Sequence, residues 1–365
     1  MNNVRKQINE IDQKMAKLFE ERMNCAKKIA EYKAEHALPI YDATREKELI
    51  TNNSKYIESD EIREYYVDFL QNTMNISKRY QARLIEGLKV AYSGVKGAFA
   101  YIASTKMFPN ATYVAYKDFV SAYNAVVNGE CDTCVLPLEN SYAGEVGNVM
   151  DLIFSGPLHV NQVKEIAITQ NLVGIKGSRL EDIKKVISHE QALNQCNEYI
   201  TKKGFITEEA TNTAVAAKMV ADSCDLTLAA IASTDAVNLY NLEILESNIN
   251  SSNNNTTRFG AFTKAQNKEL VNNKMGEYTI LVFTVKNEAG ALAKTLNIIG
   301  SYGYNMRTLR SRPMKDLIWN YYFYVELEGS ISSENGQDML NALKVFCDKL
   351  KVVGTYFNNW GKLWN

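Results

Sequence analysis

The sequence predicts three folds in succession within 365 residues: an all-α segment, a two-lobed α/β segment and a small α+β segment. Three observations predict them. Over residues 4–36 apolar side chains recur in alternating steps of four and three, the seam of a long helix. From about residue 88 short apolar runs alternate with helical periods, the pattern of an α/β sheet. From residue 276 the order becomes strand, helix, strand, strand, helix, strand.

Composition narrows the function. The chain is long enough for two or three domains with proper cores. A net charge of −1 provides no global field, so neither a nucleic-acid nor a membrane partner is expected. No apolar run reaches the length of a membrane span, and the polar, helical start lacks a signal peptide's apolar core, which points to the cytoplasm. The six scattered cysteines are expected to be reduced thiols. Cys131 and Cys134 form a C-x-x-C, but no second pair or histidine cluster completes a zinc site. Two thiols beside a buried strand is the plainer reading, and neither a metal nor a cofactor is expected.

The first helix places Val4, Ile8, Ile11, Met15, Leu18, Cys25, Ile29 and Tyr32 on its seam, with Arg22 at the one remaining position. A guanidinium facing a seam is costly to desolvate unless it is paired, and no acid shares that seam. Such a residue either fixes helix register or waits for an anionic ligand. Arg5 and Lys33 flank the same surface. Arg5 and Arg22 lie ~25 Å apart at ~1.5 Å per residue, too far to grip one small molecule, whereas Arg22 and Lys33 are separated by only ~16 Å. If Arg5 takes part, a second copy of the helix must supply it, so an antiparallel homodimer with shared sites is expected.

Leu38-Pro39 interrupts the pattern. A second helix covers residues 42–52, with Asp42, Arg45 and Glu46 in its first turns, where acids suit the helix dipole. A third covers residues 60–84, with Ile62, Tyr66, Phe69, Ile76 and Tyr80 at helical spacing and Ser77 and Gln81 beside that stripe. The set Arg5, Arg22, Lys33, Asp42-x-x-Arg45-Glu46 and Ser77-x-x-x-Gln81 resembles the all-helical chorismate mutases over residues 1–86. The resemblance implies an intertwined dimer of three-helix domains. Chorismate is a dianion that must fold into a chair while its ether bond breaks, so the site needs cations for two carboxylates and donors for the ether oxygen. By resemblance Arg22 and a second copy's Arg5 hold the carboxylates with Arg45 close by. Lys33 and Gln81 donate to the ether oxygen, Glu46 and Asp42 engage the ring hydroxyl and nearby backbone, and Ser77 lines the pocket.

The α/β segment begins with a strand at 89–93 and a glycine turn, Gly94-Val95-Lys96-Gly97, opening a helix. Strands follow at 112–115, 133–137, 185–188, 205–209 and 227–232, with helices at 119–128, 146–154, 191–202, 213–220 and near 235. A long strand-rich run over 158–174 suggests a crossover between lobes, and ligands of such sheets sit at the carboxyl ends of strands. Three polar clusters stand out: Glu139-Asn140-Ser141, Ser188-His189-Glu190-Gln191 with Gln195 beyond, and Thr256-Thr257-Arg258-Phe259. Taken singly, each reads as cap or turn residues. The third follows an asparagine- and serine-rich stretch, residues 248–255, expected to be mobile. Together these clusters resemble prephenate dehydratase over residues 88–265. The resemblance implies a two-lobed, periplasmic-binding-protein-like fold that removes carbon dioxide and a ring hydroxyl from prephenate. By resemblance Thr257 donates to the departing hydroxyl, Arg258 pairs with a carboxylate, and Asn140, Ser188 and Gln195 position the ring. Ala98 and Ala100 stand where small hydroxyl residues are usual, Glu190 replaces a proline and Gln170 a histidine.

The last segment, 276–365, has strands at 278–285, 305–311, 319–327 and 352–356 and helices at 290–302 and 336–350, the order of a ferredoxin-like unit. It resembles the ACT regulatory domain. Gly290-Ala291-Leu292-Ala293 and Ser311-Arg312-Pro313 match motifs that bind phenylalanine, and Gly290 opens a helix whose free donors suit a carboxylate. Arg310 stands where an acid is usual. The combined resemblance implies a bifunctional chorismate mutase–prephenate dehydratase, a homodimer or dimer of dimers, with phenylalanine as effector. A dehydratase acting on arogenate and a non-catalytic ligand-sensing protein are the alternatives.

Overall fold

The structure, a computed structural model, describes residues 1–36, 38–251, 255–266, 277–314 and 320–357. It divides into two compact units, residues 1–89 with 110–112 and the remainder.

The smaller unit is helical: α1 (Asn2–Glu35), α2 (Ala43–Asn53) and α3 (Asp60–Glu86). The Asp42 side chain caps α2 by accepting from the Arg45 backbone N–H at 3.0 Å, and Asp60 and Glu61 occupy the dipole-favoured first turn of α3. Helix α1 packs on α3 through Ala26 and Ala30, small residues that let the backbones approach. The predicted seam is not covered by this contact. Val4, Ile8, Ile11 and Leu18 are 50–62% exposed, and Ile62 and Phe69 of α3 are also exposed.

The larger unit opens with β1 (Lys89–Ser93), α4 (Phe99–Met107), β2 (Thr112–Tyr116), α5 (Phe119–Asn128), β3 (Thr133–Asn140), β4 (Gly144–Glu145), α6 (Gly147–Ser155) and β5 (His159–Ala167). The chain then crosses to a second lobe of β6 (Asn171–Gly174), β7 (Lys185–Ser188), α7 (Glu190–Gln195), α8 (Asn197–Lys203), β8 (Ile206–Glu209), α9 (Thr213–Ser223), β9 (Leu228–Ala232), α10 (Thr234–Tyr240) and β10 (Glu243–Glu246). It returns to the first lobe as β11 (Thr256–Thr263), giving sheet orders β2-β1-β3-β11-β5, with β4 on β3, and β10-β6-β9-β7-β8. The helix expected over 191–202 is broken at Cys196 into α7 and α8, and β4 and β10 were not anticipated. Gly97 adopts φ +91°, and a Cβ there would stand 3.0 Å from Leu239, so the turn before α4 requires glycine.

The expectation of mobility over 248–255 is corrected for the described residues. Ile249 and Asn255 are buried, the Ile249 N–H donates to the Gln170 carbonyl at 2.9 Å, and the Ile168 N–H donates to the Asn255 carbonyl at 2.8 Å. The Asn250 side chain accepts from the Gln170 N–H and donates to the Ile168 carbonyl. Asparagine side chains here replace a regular ladder between the two interlobe crossovers, so a composition that resembles a linker produces an anchored one. Residues 252–254 of that stretch lie outside the described residues, as does Trp319 of the strand expected at 319–327.

The chain continues with β12 (Glu277–Val285), α11 (Ala291–Ser301), β13 (Met306–Pro313), β14 (Tyr321–Glu328), α12 (Glu334–Phe346) and β15 (Cys347–Phe357). The four strands form an antiparallel sheet in the order β13-β14-β12-β15. Strand alternation divides its side chains. Leu281, Phe283, Val325 and Leu327 pack with Ile299, Met339 and Leu343 beneath α11 and α12. Ile280, Val282, Tyr322, Tyr324 and Tyr356 instead join the first lobe's core with Leu136, Val160 and Phe262. The C-terminal sheet therefore completes the hydrophobic core of the first lobe.

Candidate functional site

In the helical unit Arg22 is half-buried and directed at α3. Its guanidinium donates to the Ser77 hydroxyl and, at 3.5 Å, to the Thr73 carbonyl; Ser77 in turn donates to Thr73 O at 3.1 Å. Among the described residues no carboxylate lies within ion-pair distance of Arg22, and desolvation pulls its pKa below the ordinary arginine value. One turn from Ser77, Gln81 is buried and its Oε1 has no hydrogen-bond partner among the described residues. Lys33 donates to the Ile40 carbonyl at 2.6 Å, which leaves two of its three N–H donors. Glu46 pairs with Lys78 at 2.8 Å, and the Lys78 ammonium also sits over the Tyr41 ring. Lys78 was missed from the sequence because it adjoins Ser77 without a spacing of its own. Asp42 is spent as the α2 cap, Arg45 meets Glu48 at 3.7 Å with both side chains largely exposed, and Arg5 is exposed.

In the larger unit a cleft of ≈ 1110 Å³ runs between the lobes. Its wall includes the carboxyl ends of β1 and β3, the starts of α4, α6, α7 and α9, and Thr257 and Phe259 of β11. Asn140 is paired in register with Thr257 across β3 and β11. The Asn140 amide donates to Thr257 Oγ1 at 2.9 Å, to Asn255 Oδ1 at 2.8 Å and to the Thr256 carbonyl at 3.2 Å. Its Oδ1 accepts the N–H groups of Tyr142 and Ala143. Because Thr257 Oγ1 accepts a hydrogen bond from the Asn140 amide, its own O–H is left to donate elsewhere.

Gln195 lines the cleft, with Gln170 beside it; Gln170 donates to Gln195 Oε1 at 3.5 Å, and its own buried Oε1 has no partner among the described residues. Gln170 and Asn255 are functional candidates that the sequence concealed, one seen only as a departure from histidine and the other placed in a stretch expected to be mobile. His189 caps α7, its Nδ1 accepting the Gln191 N–H at 3.2 Å. Two expected substrate contacts fall outside the wall. Ser188 is fully buried and donates to the Ile231 carbonyl at 2.7 Å, which ties β7 to β9. Arg258 points to the opposite face of β11 from Thr257. It donates to Glu139 at 2.7 Å, to both oxygens of Glu326 at 2.9 Å and to the Tyr356 hydroxyl. Burial opposes the Arg258 charge, but its bonds to Glu326 outweigh this and raise its pKa. Among the described residues of the wall only Lys117 carries a full positive charge, and its side chain is 84% exposed.

In the C-terminal sheet Gly290 adopts φ +81° and precedes α11 without a side-chain cap, leaving the first N–H groups of that helix unclaimed by side chains. Ala291 is buried there, Leu292 is half-buried, and Ser311 is exposed on β13. Arg312 is not free: it meets Glu145 of the cleft rim at 2.5 Å and Asp151 at 3.5 Å.

Residues 4–82 match the type II chorismate mutase family and residues 90–267 the prephenate dehydratase family. A bifunctional chorismate mutase/prephenate dehydratase of Aquifex aeolicus is 31% identical over 98% of this chain and 97% of its own. Among solved structures, GqqA, described as a novel type of quorum quenching acylase, is 29% identical with a TM-score of 0.69, covering 75% of this chain and all of that one. A prephenate dehydratase from Arthrobacter aurescens in complex with L-Phe is 24% identical with a TM-score of 0.68, over 74% of this chain and 90% of that one.

Proposed function

Because the chain belongs to the bifunctional chorismate mutase/prephenate dehydratase family, and so rearranges chorismate to prephenate and converts prephenate to phenylpyruvate in phenylalanine biosynthesis, we propose how its residues divide the work. In residues 1–86, Arg22 receives one carboxylate of chorismate, and Arg5 of a second copy receives the other. Lys33 and Gln81 donate to the ether oxygen as negative charge develops there, and Glu46, held by Lys78, meets the ring hydroxyl. The observation that carries this site is a half-buried arginine answered, among the described residues, only by neutral oxygens. The uncovered α1 seam supports an intertwined homodimer, since a single chain leaves that apolar surface in water. Sedimentation of the full-length protein is expected to give a dimer or a multiple of it; a monomer at micromolar concentration would remove Arg5 from the site.

In residues 88–265, Thr257 donates to the departing ring hydroxyl in concert with loss of carbon dioxide, oriented by Asn140, while Gln195 and Gln170 flank the ring. Main-chain N–H groups at the uncapped starts of α4 and α6 receive substrate carboxylates in place of Arg258. That assignment reconciles Ala98 and Ala100 with catalysis, since backbone donors need no hydroxyl side chain. Residues 276–365 act as an ACT domain of ferredoxin-like fold and sense phenylalanine at Gly290-Ala291-Leu292 and Ser311. Arg312, tied to Glu145, carries that state to the cleft rim. The L-Phe bound by the Arthrobacter enzyme supports this reading.

The deciding experiment incubates full-length protein with chorismate and follows prephenate and phenylpyruvate over time, with and without phenylalanine and with arogenate as a competing substrate. Transient prephenate followed by phenylpyruvate, slowed by phenylalanine, is expected. Prephenate accumulating alone would eliminate the proposed dehydratase assignment, and suppression by arogenate would redirect the second site toward that amino acid.

A further inference from the structure

The β3–β11 pair carries two sets of side chains in one register. Thr257 faces Asn140, and the next pair is Arg258 with Glu139. Successive residues on a strand point to opposite faces, so the proposed catalytic pair looks into the cleft and the ionic pair looks at the C-terminal sheet. There Glu326, fully buried on β14, grips the Arg258 guanidinium with both oxygens, and the Tyr356 hydroxyl of β15 donates to Glu326 while accepting from Arg258. Glu139 divides its carboxylate between Arg258 and Arg310 of β13. Arg310, at a position where an acid is the usual residue, thereby supplies a second cation to the strand bearing Asn140. Arg307 completes the cluster at 3.8 Å from Glu326 and 3.9 Å from Glu165.

We propose that Glu326, Arg258, Glu139 and Arg310 form a positioning clamp through which the C-terminal sheet fixes the strands bearing Thr257 and Asn140, making that sheet part of the dehydratase machinery. Apart from Arg310, which also reaches Glu145 of the cleft rim at 3.8 Å, the cluster pairs its charges internally and turns away from the cleft, so Arg258 serves the reaction without touching the substrate. Bidentate arginine–carboxylate geometry restrains two planar groups at once, which suits a device that holds position. Displacing a reacting group by about 1 Å costs on the order of 10²-fold in rate, so a small relaxation of β11 is enough to matter. The inference rests on the reading of Thr257 as the donor.

The test is a double-mutant cycle in the full-length protein, measuring kcat and KM for prephenate in Arg258→Gln, Glu326→Gln and the double variant, with mutase activity as the folding control. Each single variant is expected to lose about 10- to 100-fold in kcat with KM changed less than about threefold, and the double variant to be no worse than either. Arg258→Lys should recover part of the loss. A rise in KM of tenfold or more in Arg258→Gln, with Glu326→Gln at the wild-type rate, would return the guanidinium to the substrate and overturn the clamp. If Glu326→Gln does not fold, Tyr356→Phe and Arg310→Ala take its place; both at wild-type kcat would equally overturn it. Thr257→Val run alongside separates the two ideas: if it retains full activity, Thr257 is not the donor, while the cycle still reports whether Arg258 and Glu326 act as one.

Discussion

Thr257→Val is expected to lower prephenate turnover by about 10²- to 10³-fold while chorismate rearrangement continues at its ordinary rate. The magnitude is that of removing one positioned donor from a site where charge develops on a leaving oxygen. Valine keeps nearly the shape of threonine, so packing is little disturbed. The Asn140 amide, deprived of Thr257 Oγ1, still has Asn255 Oδ1 and the Thr256 carbonyl, so no buried donor is orphaned. The stability cost should therefore stay near ~1 kcal/mol, the net contribution of an ordinary hydrogen bond. Thr257→Ser, which restores the hydroxyl, should recover most of the rate. A threonine hydroxyl is a weak acid, so the loss belongs in kcat and the response to pH should be shallow. An undiminished dehydratase in Thr257→Val would take this residue out of the mechanism.

The contrast between Thr257 and Arg258 shows where sequence reasoning stops. Both stand in one polar cluster, and both suit a dianion by type. Which of two adjacent strand residues faces the cleft is decided by pairing register, and a shift of one residue exchanges the faces. That register is set by contacts with β3 and β5, both far away in sequence. Ser188 and Arg312 follow the same logic: the hydrogen-bond acceptor Ile231 of the first and the ion-pair partners Glu145 and Asp151 of the second are distant in sequence. Element existence was legible because periodicity is local, and the order of helices and strands emerged nearly intact. The break at Cys196, the two-residue β4 and the edge strand β10 lack a periodic signal long enough to read. The asparagine-rich crossover misled for a different reason, since composition reports side-chain polarity and not whether those polar groups find buried partners. In the helical unit spacing put Arg22 and Ser77 on facing helices, where they meet, while Arg5 and Arg45 stand exposed and apart from them, which spacing within one helix cannot report.

Arg22→Ala is expected to cripple rearrangement of chorismate, by about 30- to 5,000-fold in kcat/KM, while prephenate turnover is preserved. The size follows from deleting a charge-assisted contact to a partly desolvated carboxylate, a loss of about 2–5 kcal/mol. The accompanying change in stability distinguishes the two roles open to this arginine. A cation whose pKa is lowered by desolvation, and which has only neutral oxygens for partners, is held in the folded protein at a cost. Removing it should leave the melting temperature unchanged or raise it slightly. A residue that fixed helix register would behave in the opposite way, and its loss would lower the melting temperature and loosen the α1–α3 packing. Arg22→Lys refines the point: an ammonium keeps the charge but cannot present two parallel donors to a carboxylate, so the mutase should remain well below wild type. Joint loss of mutase and dehydratase in Arg22→Ala would contradict independent sites. A destabilised protein with normal rearrangement would leave Arg22 as scaffold and the binding of chorismate to other groups.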